Sequence, residues 1–206
     1  MAAAALTTPS REFFAASALV VGPRLLGAVL THETPEGAVS LRITEVEAYV
    51  GDGVDPGSHA FRGRTRRNAV MYGPPGHLYT YFTYGMHVCA NVVCSPDGVA
   101  SAVLLRGGEI VEGEELARER RGLSVPVRDL ARGPARLVVA MGVSLDDGGA
   151  DLLVSPFRLQ LAEHPVAGAS GPRTGVSGAG GGLEFPWRFW IADDPTVSPY
   201  RRHAKA

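Results

Sequence analysis

The chain has 206 residues, 45% of them hydrophobic, which is enough to bury a core but short for two, so one domain over residues 1–206 is expected. No stretch reaches the roughly 20 apolar residues of a membrane span, and Arg11 and Glu12 interrupt any secretory leader, so a soluble, cytoplasmic protein is expected. A net charge of −1 argues mildly against a nucleic-acid binder, which leaves the placement of the charges as the informative quantity.

In chain order, Ser10 is an N-cap candidate for a first helix running to about Ser17, and Pro23 and Gly27 then punctuate. Two strand-like runs follow, Leu25 to His32 and Val39 to Val50, joined by the turn-rich segment Glu33-Thr-Pro-Glu-Gly37, and together they predict an antiparallel hairpin. Residues 51–76 are rich in Gly, Pro, Asp and Arg without a sustained period, which predicts a long functional loop with one short helical turn near Arg66 to Met71. Within it, Arg62-Gly-Arg-Thr-Arg-Arg67 is a basic cluster whose guanidinium groups suit bidentate phosphate contacts. All the basic residues except Lys205 are arginines, part of which fits the Ala-, Gly- and Arg-rich usage of a G+C-rich coding sequence, but the segment is nonetheless a concentrated basic cluster.

From His77 to Cys94 β-branched and aromatic residues dominate, broken only at Tyr84-Gly-Met86, which predicts a second hairpin. Cys89 and Cys94 are an odd number of positions apart on this segment, so they point to opposite strand faces and cannot bridge. A strand is expected from Val99 to Arg106, helices over Glu112 to Arg121 and Gly133 to Met141, the latter opened by Pro134, and short strands at Phe157 to Ala162 and Trp187 to Ala192. The glycine-rich stretch Gly175 to Gly182 lacks the Gly-Lys-Ser/Thr ending of a phosphate-cradling loop and is expected to be flexible. The fold class is α+β: a curved antiparallel sheet flanked by a few helices, with a protruding hairpin. Neither cysteines nor histidines fall at metal-ligand spacings, so no metal and no cofactor is expected.

Two segments carry chemistry. In Ile43-Thr-Glu-Val-Glu-Ala-Tyr49, strand alternation puts Glu45, Glu47 and Tyr49 on one face, which fits either a solvated surface or two carboxylates and a ring facing a pocket. In Leu78-Tyr-Thr-Tyr-Phe-Thr-Tyr-Gly-Met-His-Val-Cys-Ala-Asn91, Tyr79 and Tyr81 share a face, and Gly85 places Tyr84 at the hairpin tip. An aromatic ring there either folds back on the protein or enters a base stack to fill the gap left by an extruded nucleotide.

The ordered series Glu45-Val-Glu-Ala-Tyr-Val-Gly51, His59, Arg67-Asn68, Met71, Pro75-Gly76, Leu78-Tyr79, Tyr84-Gly-Met86, Asn91 and Val103-Leu-Leu-Arg106 resembles the alkyladenine (3-methyladenine) DNA glycosylase family. The likeness extends from the strand at Leu25 to Phe185-Pro-Trp-Arg-Phe189, nearly the whole chain, in the compact form of the family's bacterial members. It implies base-excision repair, with hydrolysis of the N-glycosidic bond of alkylated or deaminated purines (3-methyladenine, 7-methylguanine, hypoxanthine, etheno-adenine) after base flipping. By position, Glu47 matches the catalytic general base and Arg106 the arginine that holds the attacking water. Tyr49, His59 and Tyr81 match the residues that sandwich the flipped base, Asn91 the side chain that crowds the pocket floor, and Tyr84 the intercalating wedge. Glu45 has no catalytic counterpart, and Arg64, Arg66 and Arg67 are expected to meet the DNA backbone.

The partner implied is double-stranded DNA containing a damaged purine, approached by a monomer. Because strand-nicking glycosylases use an amine and the sole lysine, Lys205, sits in a tail expected to fray, an intact abasic site is the expected product. One rival reading is a noncatalytic nucleic-acid binding module that stacks bases on its tyrosines. A second rival, a glycoside or nucleoside hydrolase using Glu45 and Glu47 as an acid/base pair, is awkward because side chains two apart on a strand run parallel with no cleft between them.

Overall fold

The computed structural model describes residues 5–83 and 85–206. Its elements in chain order are β1 (Leu6–Thr7), α1 (Arg11–Phe14), α2 (Ala18–Arg24), β2 (Val29–Thr34), β3 (Gly37–Val50), β4 (Leu78–Thr83), β5 (His87–Val93), β6 (Ser101–Glu112), α3 (Glu114–Arg121), α4 (Pro134–Met141), β7 (Phe157–Ala162), β8 (Ala169–Gly171) and β9 (Arg188–Trp190). The strands join in one sheet of order β1-β7-β2-β3-β6-β5-β4, with β9 added to β3 and β8 to β9. Every named pairing is antiparallel, so the α+β class read from the sequence holds. Among the described residues no helix is long and apolar enough to cross a membrane.

The central strand is β3, and both of its edges are occupied. β6 runs along one edge, while β2 covers Gly37 to Arg42 and β9 covers Glu45 to Glu47 on the other. From Val39 to Ala48 the strand is buried at every position except Arg42, so both of its faces are covered there. Register against β6 slips between Ile43 and Glu45, which leaves Thr44 without a partner on that strand. Such a bulge re-aims the side chains that follow it, here Glu45, Glu47 and Tyr49.

The predicted second hairpin is β4 and β5, and it projects. β5 is bonded to β6 only over Asn91 to Val93, while the rest of the strand, from His87, pairs with β4 alone. Tyr84, at the turn, lies outside the described residues.

The main core packs Leu30, Leu41, Ile43, Val46, Val92, Val103, Leu105 and Leu159 of the sheet against Val21 of α2 and Leu137, Val138 and Met141 of α4. A smaller apolar cluster of Ala60, Met71, Tyr72, Tyr79, Val93, Ala100 and Ala102 lies under the 51–76 loop and ties it to the hairpin. Asn68, also buried, staples the loop from within: its Nδ2 donates to the carbonyls of His59 (2.9 Å) and Gly63 (3.1 Å), and its Oδ1 accepts from Thr65 N at 2.6 Å.

Several expected boundaries shift, each for a local reason. The first helix is two helices, because the carbonyls of Phe14 and Ala16 both accept from Ser95 N instead of continuing a helical ladder. Ser10 makes no side-chain cap; Ser17 caps α2 instead. The strand expected from Leu25 begins at Val29, because Leu25 to Ala28 forms a turn, with Ala28 N donating to Leu25 O. The helical turn of the 51–76 loop is a 3-10 turn at Ala69–Tyr72.

The strand expected to end at Arg106 runs on through Gly107 and Gly108 to Glu112, and the helix starts at Glu114. Those glycines are close-approach positions, since a Cβ on Gly108 would lie 2.5 Å from Arg42 O. Strand β9 is confined to Arg188–Trp190, and the short strands β1 and β8 carry no sequence signal.

Candidate active site

Re-aimed by the bulge, Glu45 and Glu47 both turn toward Arg106 of β6, and all three are buried. Arg106 Nε donates to Glu45 Oε1 at 3.0 Å and lies 3.4 Å from Glu47 Oε1, while Nη1 reaches Glu47 Oε2 at 3.5 Å and Nη2 reaches Ser198 Oγ at 3.3 Å. Burial opposes a charged guanidinium, but the two carboxylates outweigh it and hold Arg106 above its ordinary pKa.

The two glutamates differ in what surrounds them. Glu45 accepts from Arg106, from Arg188 Nε (2.7 Å), and from the backbone N (2.7 Å) and hydroxyl (2.9 Å) of Ser198. Burial works against its ionisation, yet Arg106 and Arg188 more than compensate and hold its pKa below the usual carboxylate range. It is saturated with donors and away from the cavity, an anchor for Arg106.

Glu47, on the same side of the strand, has different partners besides Arg106. Its Oε2 accepts the Tyr49 hydroxyl at 2.8 Å and its Oε1 accepts Thr174 N at 2.6 Å. Tyr49, Thr174 and Arg106 all line a cavity of about 440 Å3, so the buried Glu47 carboxylate touches three members of that cavity's wall. The size is that of a small-molecule or single-base site.

The aromatic part of the wall comes from the loop and the hairpin. His59 packs edge-to-face on Tyr81 with centroids 4.5 Å apart, and Tyr79 tilts against Tyr81 at 5.5 Å. His59 Nδ1 lies 3.2 Å from the Tyr79 hydroxyl. Desolvation, then the nearby Arg67 charge, lowers the His59 pKa, which favours the neutral ring. Desolvation raises Tyr79 to about 12 and pushes Tyr49 and Tyr81 up as well, so all three phenols keep their protons at neutral pH. Asn91 lines the same cavity and donates its amide to Tyr79 O at 3.0 Å.

Tyr49, His59, Tyr81, Asn91 and Arg106 therefore share one cavity, with Glu47 directly behind its wall. Among the candidate backbone contacts, Arg67 is engaged with the protein: its Nη2 donates to Phe82 O at 2.9 Å and its guanidinium sits 5.9 Å from the Tyr81 centroid. Arg64 lies over the Tyr72 ring, and Arg66 is exposed with no side-chain bond or ion pair among the described residues. Cys94 is in the apolar core, while Cys89 lines the cavity, on opposite sides as the spacing implied.

Sequence reasoning missed the residues that close the site from the far end of the chain. Arg173 is fully buried, forms a two-pronged ion pair with Asp55 at 2.6 Å, and donates to the carbonyls of Ala48 (3.0 Å) and Gly180 (2.8 Å). Its guanidinium lies 4.5 Å from the Tyr49 ring and 5.2 Å from that of Trp187. Arg173 thus fixes the loop, the strand and the segment carrying Thr174 N in one frame. The signal was slight: a lone arginine before a glycine-rich stretch and an aspartate in a Gly/Pro loop, 118 positions apart.

Residues 12–195 match the model of the methylpurine-DNA glycosylase (MPG) family. A protein of Leifsonia xyli subsp. xyli named "Putative 3-methyladenine DNA glycosylase" is 69% identical over 202 residues, covering 96% of this chain and 95% of its own. Proteins of the same name from Streptomyces avermitilis and Nocardia farcinica are 58% and 50% identical, covering 98% and 91% of this chain and 97% and 92% of theirs. With a buried carboxylate behind an aromatic cavity and similarity along nearly its whole length, the chain belongs to the methylpurine-DNA glycosylase family.

Proposed function

We propose that residues 1–206 form one monofunctional DNA glycosylase domain that excises 3-methyladenine, and with it 7-methylguanine, hypoxanthine and etheno-adenine, from duplex DNA in base-excision repair. The observation that carries this reading is the contact of the Glu47 carboxylate with Tyr49, Thr174 and Arg106, three residues of one aromatic cavity. In this reading the damaged nucleotide flips out of the duplex and its base stacks between Tyr49 and the contiguous His59–Tyr81 unit. Alkylation at N3 or N7 makes the purine cationic, and each electron-rich ring face attracts such a cation by about 0.5–2 kcal/mol. Tyr84 fills the gap left in the helix; that role rests on its place in the sequence.

As the glycosidic bond stretches, positive charge develops on the sugar. A water entering through the cavity gives a proton to Glu47, its oxygen bonds to C1′, and the purine takes the electron pair of the broken C1′–N bond. An N3- or N7-alkylated purine, cationic beforehand, leaves neutral, whereas hypoxanthine or etheno-adenine leaves neutral only with a proton taken up from solvent at N7. The ionised carboxylate also stabilises the developing sugar cation, and Arg106, held by Glu45, keeps that carboxylate and the water in line. Arg64 and Arg66 meet the phosphate backbone, with Arg67 chiefly bracing Tyr81. The product is a free base and an intact abasic site, formed by a monomer in the cytoplasm.

The test is time-dependent base release from duplexes carrying each of the four lesions. Release of at least 3-methyladenine supports the reading; binding of all four with no release replaces it with a noncatalytic base-binding module.

A further inference from the structure

The cavity rim carries a basic element that the catalytic reading leaves unused. Gly175, Val176 and Ser177 line the cavity. The backbone of this stretch is bonded to residues near the end of the chain: Gly175 N donates to Arg201 O and Gly178 N to Lys205 O, both at 2.9 Å. A Cβ on Gly181 would collide with Val176 O and come within 2.8 Å of Ala206 Cβ, so the bare backbone there lets the stretch fold on itself with the tail lying against it. The glycine-rich stretch, expected to be flexible, and the lysine-bearing tail, expected to fray, are instead one docked unit at the mouth of the site.

That unit is positively charged. Arg201, Arg202 and Lys205 are exposed. Arg202 Nη2 turns back to Ala206 O at 2.6 Å, whereas the Arg201 and Lys205 side chains make no hydrogen bond or ion pair among the described residues. In a chain of net charge −1, the placement of such cations decides where a polyanion can sit. A nucleotide whose base enters the cavity necessarily carries its flanking phosphates past the rim, and fixed backbone anchors reduce the ordering cost of gripping them.

We propose that Arg201 and Lys205, docked on the glycine-rich rim, form a second phosphate-binding surface for the DNA strand, separate from the Arg64–Arg67 loop. This rests on the glycosylase reading above. Arg201 supplies a planar fork for phosphate oxygens and Lys205 a point charge, and neither touches the base or Glu47.

The experiment uses the full chain and a lesion-bearing duplex, with affinity read by fluorescence anisotropy between about 50 and 200 mM salt. The double variant Arg201→Gln/Lys205→Gln is compared with wild type and with Arg158→Gln, an exposed arginine beside the separate groove lined by Leu6 and Val29. The salt slope of the double variant is expected to be shallower by about two, because each phosphate contact contributes nearly one. Its base release at saturating DNA is expected to equal that of wild type. A slope equal to wild type, or an equal loss in Arg158→Gln, overturns the tail surface while leaving excision intact. Failure of the wild type to release any base overturns the glycosylase reading, and the proposal with it.

Discussion

The Tyr49 hydroxyl donates to Glu47 Oε2 at 2.8 Å, so the ring proposed to stack on the base and the carboxylate proposed to activate water are joined by one hydrogen bond between neighbours on the same strand face. Glu47→Gln keeps the volume but presents an amide N–H to Tyr49 or to Thr174 N, both donors to the present carboxylate. Excision is expected to fall by about 10²–10⁴-fold, with a stability loss of about 1–3 kcal/mol and lesion-duplex binding retained. Single-turnover excision and anisotropy on the same preparation check this; near-wild-type excision removes Glu47 from the general-base role.

The Asp55–Arg173 pair is fully buried, and removing one partner strands the other. Asp55→Ala is expected to cost about 3–5 kcal/mol, because the remaining guanidinium keeps only the carbonyls of Ala48 and Gly180. Urea denaturation measures it. A loss under about 1 kcal/mol, the size of a surface pair, would show that solvent reaches Arg173 readily.

Acid stability follows from Glu45. Its folded pKa lies below the ordinary value, so between the unfolded value, about 4.3, and the lower folded one the unfolded chain binds more protons. The stabilisation is therefore complete above the unfolded value and is lost as pH falls through the folded one. Asp194, buried in part and bonded to Thr196 and Arg42, and Asp151, bonded to Arg11, act in the same direction. Unfolding free energy measured from pH 6 downward is expected to drop steeply below about pH 4.5, and Glu45→Gln to flatten that drop; an equally steep drop in the variant would assign it to other groups.

Borohydride added during turnover is expected to trap no covalent DNA adduct, because the proposed chemistry uses water and Lys205, although its backbone is bonded to Gly178 at the rim, is not among the residues that line the cavity. A trapped adduct that disappears in Lys205→Gln would identify that amine as a nucleophile and end the monofunctional assignment.

What was legible in the sequence was what short-range pattern encodes. Alternation placed Glu45, Glu47 and Tyr49 on one face, composition marked the projecting hairpin, and odd spacing separated Cys89 from Cys94. Strand alternation and turn chemistry act over a few residues, so they survive without knowledge of the rest of the fold.

Only the tertiary structure decided which glutamate backs the cavity wall. The bulge at Thr44 and the arrival of Ser198 and Arg188 saturate Glu45, while Thr174 and Tyr49 turn Glu47 toward the wall. It also decided that Asp55 meets Arg173 and that the tail docks on the glycine-rich rim. Those contacts join segments far apart in the chain, and their energies come from desolvating charges in a shared interior, which no local window of sequence contains.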